Sequence, residues 1–229
     1  MITNDPRGAD AVIPVKLTRP RSGPFQILCL GAHCDDIEIG CGATLLKLLR
    51  EMPEVSVEWV VFSSTPLRTA EARASAAKFL RRAAAKTVRI HGFRDGFFPY
   101  DGGQLKEAFE DLKADVNPDL IFCSHRYDLH QDHALVAELA RNTWRNHLIL
   151  EYEIPKYDGD LGQPNCFVPV GRDLARRKAR HILESFASQR DRHWFDEETF
   201  MAILRLRGLE CRSPSGYAEA FYAHKMILG

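Results

Sequence analysis

The sequence predicts a single-domain α/β fold of the Rossmann-like three-layer kind, a mainly parallel sheet with helices on both faces. Three observations predict it. Short apolar runs alternate with helix-patterned segments from Phe25 to Ile154, the order that builds βαβ units with right-handed crossovers. The first run, residues 25–30, is short, nearly all apolar and ended by Gly31, as a strand buried on both faces is. The chain has 229 residues, 45% of them hydrophobic, enough for one sizeable core.

Each element follows in order. Residues 1–23, with Pro6, Pro14 and Pro20 among several charges, read as a loosely packed tail. Residues 24–229 read as the domain, with 24–154 as its βα core and 155–229 as a C-terminal cap. After the first strand, residues 43–49 place Leu45, Leu46, Leu48 and Leu49 along one side of a helix. Residues 55–62 (VSVEWVVF) make a second strand, and residues 69–82 are rich in helix formers. Residues 87–93 are a third strand, leading into RDGFFPYDGG, a loop dense in Asp, Gly, Pro and aromatics. Residues 105–114 are helical, with Leu105, Phe109 and Leu112 on one face. Strand 119–124, helix 134–144 and strand 148–154 complete the regular alternation. Beyond Pro155 come a loop, a short strand at 166–170, helices at 172–186 and 197–206, and a final strand at 218–226.

Composition excludes several function classes. Thirty-one basic residues balance 31 acidic ones, which argues against a nucleic-acid or anionic-membrane partner. No apolar run is long enough to span a bilayer, and no charged-then-apolar leader opens the chain. The 6 cysteines form no CxxC pair and read as reduced thiols. The expectation is a cytoplasmic protein without a membrane span. Its oligomeric state is left open, a homo-oligomer included.

The chemistry concentrates in two loops. GAHCDD carries His33, Asp35 and Asp36 between the first strand and its helix. HRYDLHQDH, residues 125–133, follows the fourth strand in the same way. In a parallel sheet both loops leave the same edge, where open α/β sheets bind ligands. His33, Asp35, Asp36, His130, Asp132 and His133 can therefore converge. Two histidines and a carboxylate, with one coordination position open, are a common catalytic zinc set. Taken alone, each loop has a plainer reading: an acidic pair before a helix usually caps it, and an isolated HxxDH is a solvated helix start. The joint occurrence on two strand-to-helix loops favours a metal site.

These residues resemble a known family. GAHCDDIEIGCGATL resembles the A-H-P-D-D-E…G-C-G-G-T signature of the PIG-L/LmbE-like metal-dependent de-N-acetylases, and DLHQDH resembles their H-x-D-H. LRTAEARASAAKFL resembles the family's R-x-x-E helix and FRDG its loop after the third strand. ASQ at 187–189, LRLRG at 204–208 and YAEAF at 217–221 resemble its C-terminal landmarks. The resemblance implies a zinc-dependent hydrolase, another divalent metal being an alternative, that removes an N-acetyl or other N-acyl group from a small amino sugar or its conjugate. It implies His33, Asp36 and His133 as ligands and Asp35 as general base. A protonated His130 is expected to stabilise the carbonyl oxygen and protonate the amine, with Asp132 orienting it or raising its pKa.

Amide hydrolysis needs a nucleophile at neutral pH, and zinc lowers the pKa of a bound water toward about 7. From sequence, the roles of Asp35 and Asp36 are interchangeable. Cys34 stands where the family has proline, and Ile37 displaces the family's acid to Glu38. Cys34 reads as an inert thiol. Arg68 and Asp95 are the expected substrate contacts, with helix-surface charge and an Asp-Gly turn as the plain alternatives. Phe97, Phe98, Tyr100 and Tyr127 offer an apolar wall, in part plain anchors. Glu151 and Glu153 are expected on opposite faces, one of them solvated. Two rival functions remain: a metal hydrolase acting on a non-sugar amide, and a non-catalytic Rossmann-like small-molecule binder.

Overall fold

The computed structural model describes residues 12–18 and 23–227. Most of the expected tail lies outside the described residues. Within it Val12, Ile13 and Val15 are exposed, and Leu17 packs against the core.

Among the described residues there are seven strands and six α-helices, which alternate as far as the fifth strand. They are β1 (Phe25–Gly31), α1 (Asp36–Glu51), β2 (Val55–Val61), α2 (Pro66–Phe79), β3 (Ala85–Ile90), α3 (Gly102–Asp115) and β4 (Leu120–Ser124). Then follow α4 (Gln131–Thr143), β5 (Leu148–Tyr152), β6 (Cys166–Pro169), α5 (Arg172–Ser185), α6 (Glu197–Glu210) and β7 (Ala218–Ala223). All seven strands form one sheet in the order β3-β2-β1-β4-β5-β7-β6. The first five are parallel, and β7 runs antiparallel to both β5 and β6.

Strand alternation sends side chains to two cores. Ile27 and Cys29 of β1 join α1, α2 and α5 on one face, while Leu28 and Leu30 join α3 and α4 on the other. Each core is built of buried apolar side chains, so the helices are held by burial rather than by their own propensity.

The strand order reverses at β1. From there the chain moves outward through β2 and β3, then returns to place β4 on the other side of β1. Such a reversal opens a crevice at the carboxyl ends of the two central strands. The loops after β1 and β4, the two chemical loops of the sequence, flank it.

Two boundaries and one burial differ from expectation in ways that bear on the site. Helix α1 begins at Asp36 and not at residue 43. Gly40 and Gly42 weaken the helical signal, but packing requires them. A methyl on Gly40 would overlap the Tyr152 ring, and one on Gly42 would come within 2.7 Å of Phe79. Strand β3 starts at Ala85, in an Ala-Lys stretch without strand signal, because pairing of Ser56 with Ala85 carries the ladder there. Glu151 and Glu153 are both buried, contrary to the expectation that one is solvated. Each has polar partners: Arg141 and His125 hold Glu151, and Arg207 holds Glu153.

Candidate metal centre and active site

The chain turns sharply after β1. His33 donates its backbone N–H to Asp36 Oδ2 at 2.8 Å, which closes the loop and aims that carboxylate back over the strand end. Asp35 occupies the N-cap position of α1 but makes no side-chain cap. The capping explanation of the acidic pair therefore does not hold. Across the crevice, α4 begins at Gln131 and brings His133 beneath His33.

Three donor atoms meet. His33 Nδ1 lies 3.1 Å from His133 Nε2. Asp36 Oδ2 lies 3.6 Å from His33 Nδ1 and 3.3 Å from His133 Nε2. A tetrahedral ion with bonds of about 2.0–2.2 Å spaces its donors roughly 3.3–3.6 Å apart. The triangle matches one face of that tetrahedron, so the donor set fits a zinc-like ion. Two other groupings of candidate ligand atoms, His33–His130–His133 and His33–Asp95–Asp132, also lie within 4.8 Å of one another. The second uses His33 Nε2, the ring nitrogen that lies by Asp95 and Asp132 and not by Asp36 and His133.

The charge balance suits a cation. Burial disfavours a charged His133, but Asp36 and Asp128 overcome it and push the pKa up to about 9. His33 is also raised well above the usual imidazole range: burial opposes the shift, and Asp132, Asp36 and Asp95 outweigh it. Burial would raise Asp36, yet the two imidazoles pull it well below the usual carboxylate range. The carboxylates thus create a deep place for positive charge.

The outer nitrogen of His133 is hydrogen-bonded, whereas that of His33 has carboxylates nearby without hydrogen-bond geometry. His133 Nδ1 is 3.0 Å from Asp128 Oδ2, and Lys156 Nζ reaches the same oxygen at 2.9 Å. His33 Nε2 is 3.0 Å from Asp95 Oδ1 and 3.4 Å from Asp132 Oδ2. Asp132 is fully buried and accepts the N–H groups of Gly96 and Phe98 at 2.7 and 3.1 Å. It fastens the loop after β3 to the centre.

That geometry corrects one expectation. Asp132 does not orient His130 with its carboxylate; the contact between them is the Asp132 N–H to His130 Nδ1, at 3.3 Å. Burial, with the rings of His133 and His33, lowers the His130 pKa. These causes favour the neutral ring over the expected imidazolium, while the Asp132 carboxylate acts in the expected, raising sense. With Nδ1 accepting, its proton sits on Nε2.

Asp35 is buried and takes the Arg68 guanidinium on Oδ1 at 2.8 Å. Burial raises its pKa and Arg68 opposes the rise, leaving it moderately elevated. Arg68 lies over the Phe186 ring and 3.9 Å from Glu71. Glu71 in turn accepts Ser188 N–H and Oγ–H at 2.8 and 2.6 Å. The expected substrate contacts Arg68 and Asp95 thus hold residues of the site, and both still line its cavity. Cys34 Sγ faces Ser64 Oγ at 3.2 Å, and burial pushes its pKa up, so it stays a thiol.

A cavity of about 320 Å³ covers this centre, lined at its base by His33, Asp35, Asp36, His130 and His133. Tyr157, Gln189, Arg192 and Trp194 form its outer wall. Sequence reasoning missed these residues and Asp128. Asp128 stood inside the HRYDLHQDH cluster and was findable there. Trp194 carries no motif signal. Of the expected aromatic wall, Phe98 is core, while Tyr100 and Tyr127 are exposed and outside the cavity lining.

The family model described as PIG-L, GlcNAc-PI de-N-acetylase, matches residues 28–144, which include both chemical loops. The chain belongs to the PIG-L family. An Escherichia coli (strain K12) relative, the uncharacterized deacetylase YaiS, is 30% identical over 157 residues, which are 64% of this chain and 83% of the relative. N,N'-diacetylchitobiose deacetylase from Pyrococcus horikoshii superposes with a TM-score of 0.68 at 22% identity, over 86% of this chain and 83% of that one. GalB, the 4-carboxy-2-hydroxymuconate hydratase from Pseudomonas putida KT2440, gives 0.71 at 14% identity, over 90% and 98%. PIG-L is a deacetylase family, but the same fold also carries a hydratase, so the reaction must be argued from the site. Among the described residues no helix is long and apolar enough to cross a membrane.

Proposed function

We propose that the chain is a metal-dependent N-deacetylase, with zinc as the preferred ion, acting on a small N-acetylated amino sugar or its conjugate. The observation that supports this most directly is the triangle of His33 Nδ1, Asp36 Oδ2 and His133 Nε2 with a buried carboxylate, Asp35, beside it. In this reading the three residues hold the ion, and Asp35 is the base. When bound, the dication polarises the amide carbonyl and acidifies a water.

The remaining work belongs to the chain. Asp35 takes the proton of the attacking water and passes it to the leaving nitrogen as the C–N bond breaks. Arg68 keeps Asp35 ionised and fixes its orientation, so that the base is ready at neutral pH. The Nε2–H of His130 donates to the carbonyl oxygen as charge builds there. The ion pair between Asp128 and Lys156 holds the His133 ring in one orientation. The cavity accommodates a sugar-sized ligand, and Trp194 offers an aromatic face at its wall.

Two measurements test the reading. Purified protein should contain close to one zinc per chain, and it should release acetate from at least one member of a panel of N-acetyl amino sugars. Asp35→Ala should lower turnover by roughly 10²–10⁴-fold, the usual worth of a positioned base, while zinc stays bound. Loss of zinc in that variant would exchange the roles of Asp35 and Asp36. If acetate is released only from non-sugar amides, the sugar assignment fails and the metal amidase remains.

A further inference from the structure

A buried ion pair meets the backbone of helix α1 part-way along its length. In a regular helix the Ala43 N–H donates to the Ile39 carbonyl, four residues earlier. Here Ala43 N–H donates to Glu219 Oε1 at 2.9 Å, and Thr44 N–H donates to Glu219 Oε2 at 2.6 Å. The Ile39 carbonyl takes Lys178 Nζ at 2.6 Å, and Lys178 Nζ and Glu219 Oε1 are 2.6 Å apart. The circuit runs from the Ile39 oxygen through Lys178 and Glu219 to the Ala43 nitrogen.

The charges agree with the geometry. A carboxylate at two free N–H groups is what a helix start favours, and an ammonium at a free carbonyl is what a helix end favours. Glu219 meets the N–H groups just after Gly42, and Lys178 the carbonyl just before Gly40, within the one helix. Lys178 is 1% exposed and Glu219 3%, so neither charge is satisfied by water and each depends on this arrangement. Gly40 and Gly42 flank the junction and admit Tyr152 and Phe79 against the backbone. Lys178 comes from α5 and Glu219 from β7, so the C-terminal third of the chain grips α1 at this point.

The first turn of α1 carries Asp36. Its placement relative to β1 is therefore set from these contacts as well as from the loop. We propose that Lys178 and Glu219 are positioning residues of the metal centre, whose buried pair clamps α1 and fixes the turn that presents Asp36 to the ion. The proposal rests on the reading of His33, Asp36 and His133 as ligands. It concerns geometry at the ion and not contact with substrate.

The experiment compares wild type with Glu219→Gln and Lys178→Met as full-length metal-free protein. Zinc affinity is measured by competition with a chelator, and Co²⁺ substituted for zinc reports ligand geometry by its visible absorption. A core variant remote from α1, Phe109→Ala, is the control for loss of stability alone. The expected result is zinc binding weaker by roughly tenfold or more, the scale seen when residues supporting metal ligands are removed, with an altered Co²⁺ spectrum in both variants and neither change in Phe109→Ala. If Glu219→Gln does not fold, Lys178→Met carries the comparison, since Glu219 keeps its two amide donors there. Lowered melting temperature with wild-type zinc affinity and Co²⁺ spectrum would overturn the proposal. Failure of wild type itself to bind zinc would instead overturn the ligand assignment beneath it.

Discussion

His133 shows how one residue can carry the electrostatics of a site. Its pKa of about 9 exceeds the roughly 6.5 of an unfolded histidine. A group raised on folding contributes stability that is complete below the unfolded value and lost as pH rises through the folded one. Chelated protein should therefore lose melting temperature between about pH 6.5 and 9. Zinc binding has the opposite sign, because only the neutral ring ligates and the proton must leave. Zinc affinity should rise over the same interval. Asp128→Asn, which removes one of the two carboxylates holding that proton, should flatten the first dependence. Scanning calorimetry with and without chelator across this range checks both signs; parallel slopes would contradict the account. The residue scale was also the least legible in sequence. His33, Asp36 and His133 were visible from their motifs, and the structure brings their ligand atoms together. Asp132 was expected beside His130 because the two are neighbours in HQDH. The helix start instead turns its carboxylate toward the loop after β3, which sequence distance cannot reveal.

At the scale of elements, helices were easy to find and their ends were not. Leu105, Phe109 and Leu112 mark α3 by their spacing and are all buried. Helix α1 was underestimated because two glycines mask a start that tertiary packing dictates. Gly40 gives the sharper test. Its hydrogen leaves room for the Tyr152 ring, whose hydroxyl donates to the Leu30 carbonyl at 2.7 Å. Gly40→Ala should force that ring off β1 and cost about 1–3 kcal/mol, the usual penalty of overpacking, despite alanine's better helix propensity. Urea denaturation measures it, and a variant as stable as wild type would show that the ring yields without cost.

For the whole molecule, the parallel sheet and its chemical edge followed from the alternation of runs, because βαβ handedness leaves few other solutions. The antiparallel return of β7 between β5 and β6 was not legible, since nothing in AEAFYA encodes direction. The C-terminal landmarks acquire physical roles at this scale. ASQ braces Glu71 behind Arg68, LRLRG places Arg207 on Glu153 at 2.8 Å, and YAEAF supplies Glu219. A ligand that binds only the folded chain stabilises it, by about 2.7 kcal/mol at a hundred times its dissociation constant. Chelation should accordingly lower the melting temperature by roughly 5–10 °C in a domain of this size. An unchanged transition would mean that no metal is held by the native state.

His33 and His133, the histidines proposed as ligands, stand 100 residues apart in the chain and 3.1 Å apart in space. No local stretch can bring them together before β1 and β4 have paired. The ion then cannot nucleate this protein as it does a zinc finger; it can only arrive last. Metal uptake after dilution from denaturant becomes a clock for assembly: its rate reports when the two halves of the sheet have met, and a chain misfolded at either half stays empty.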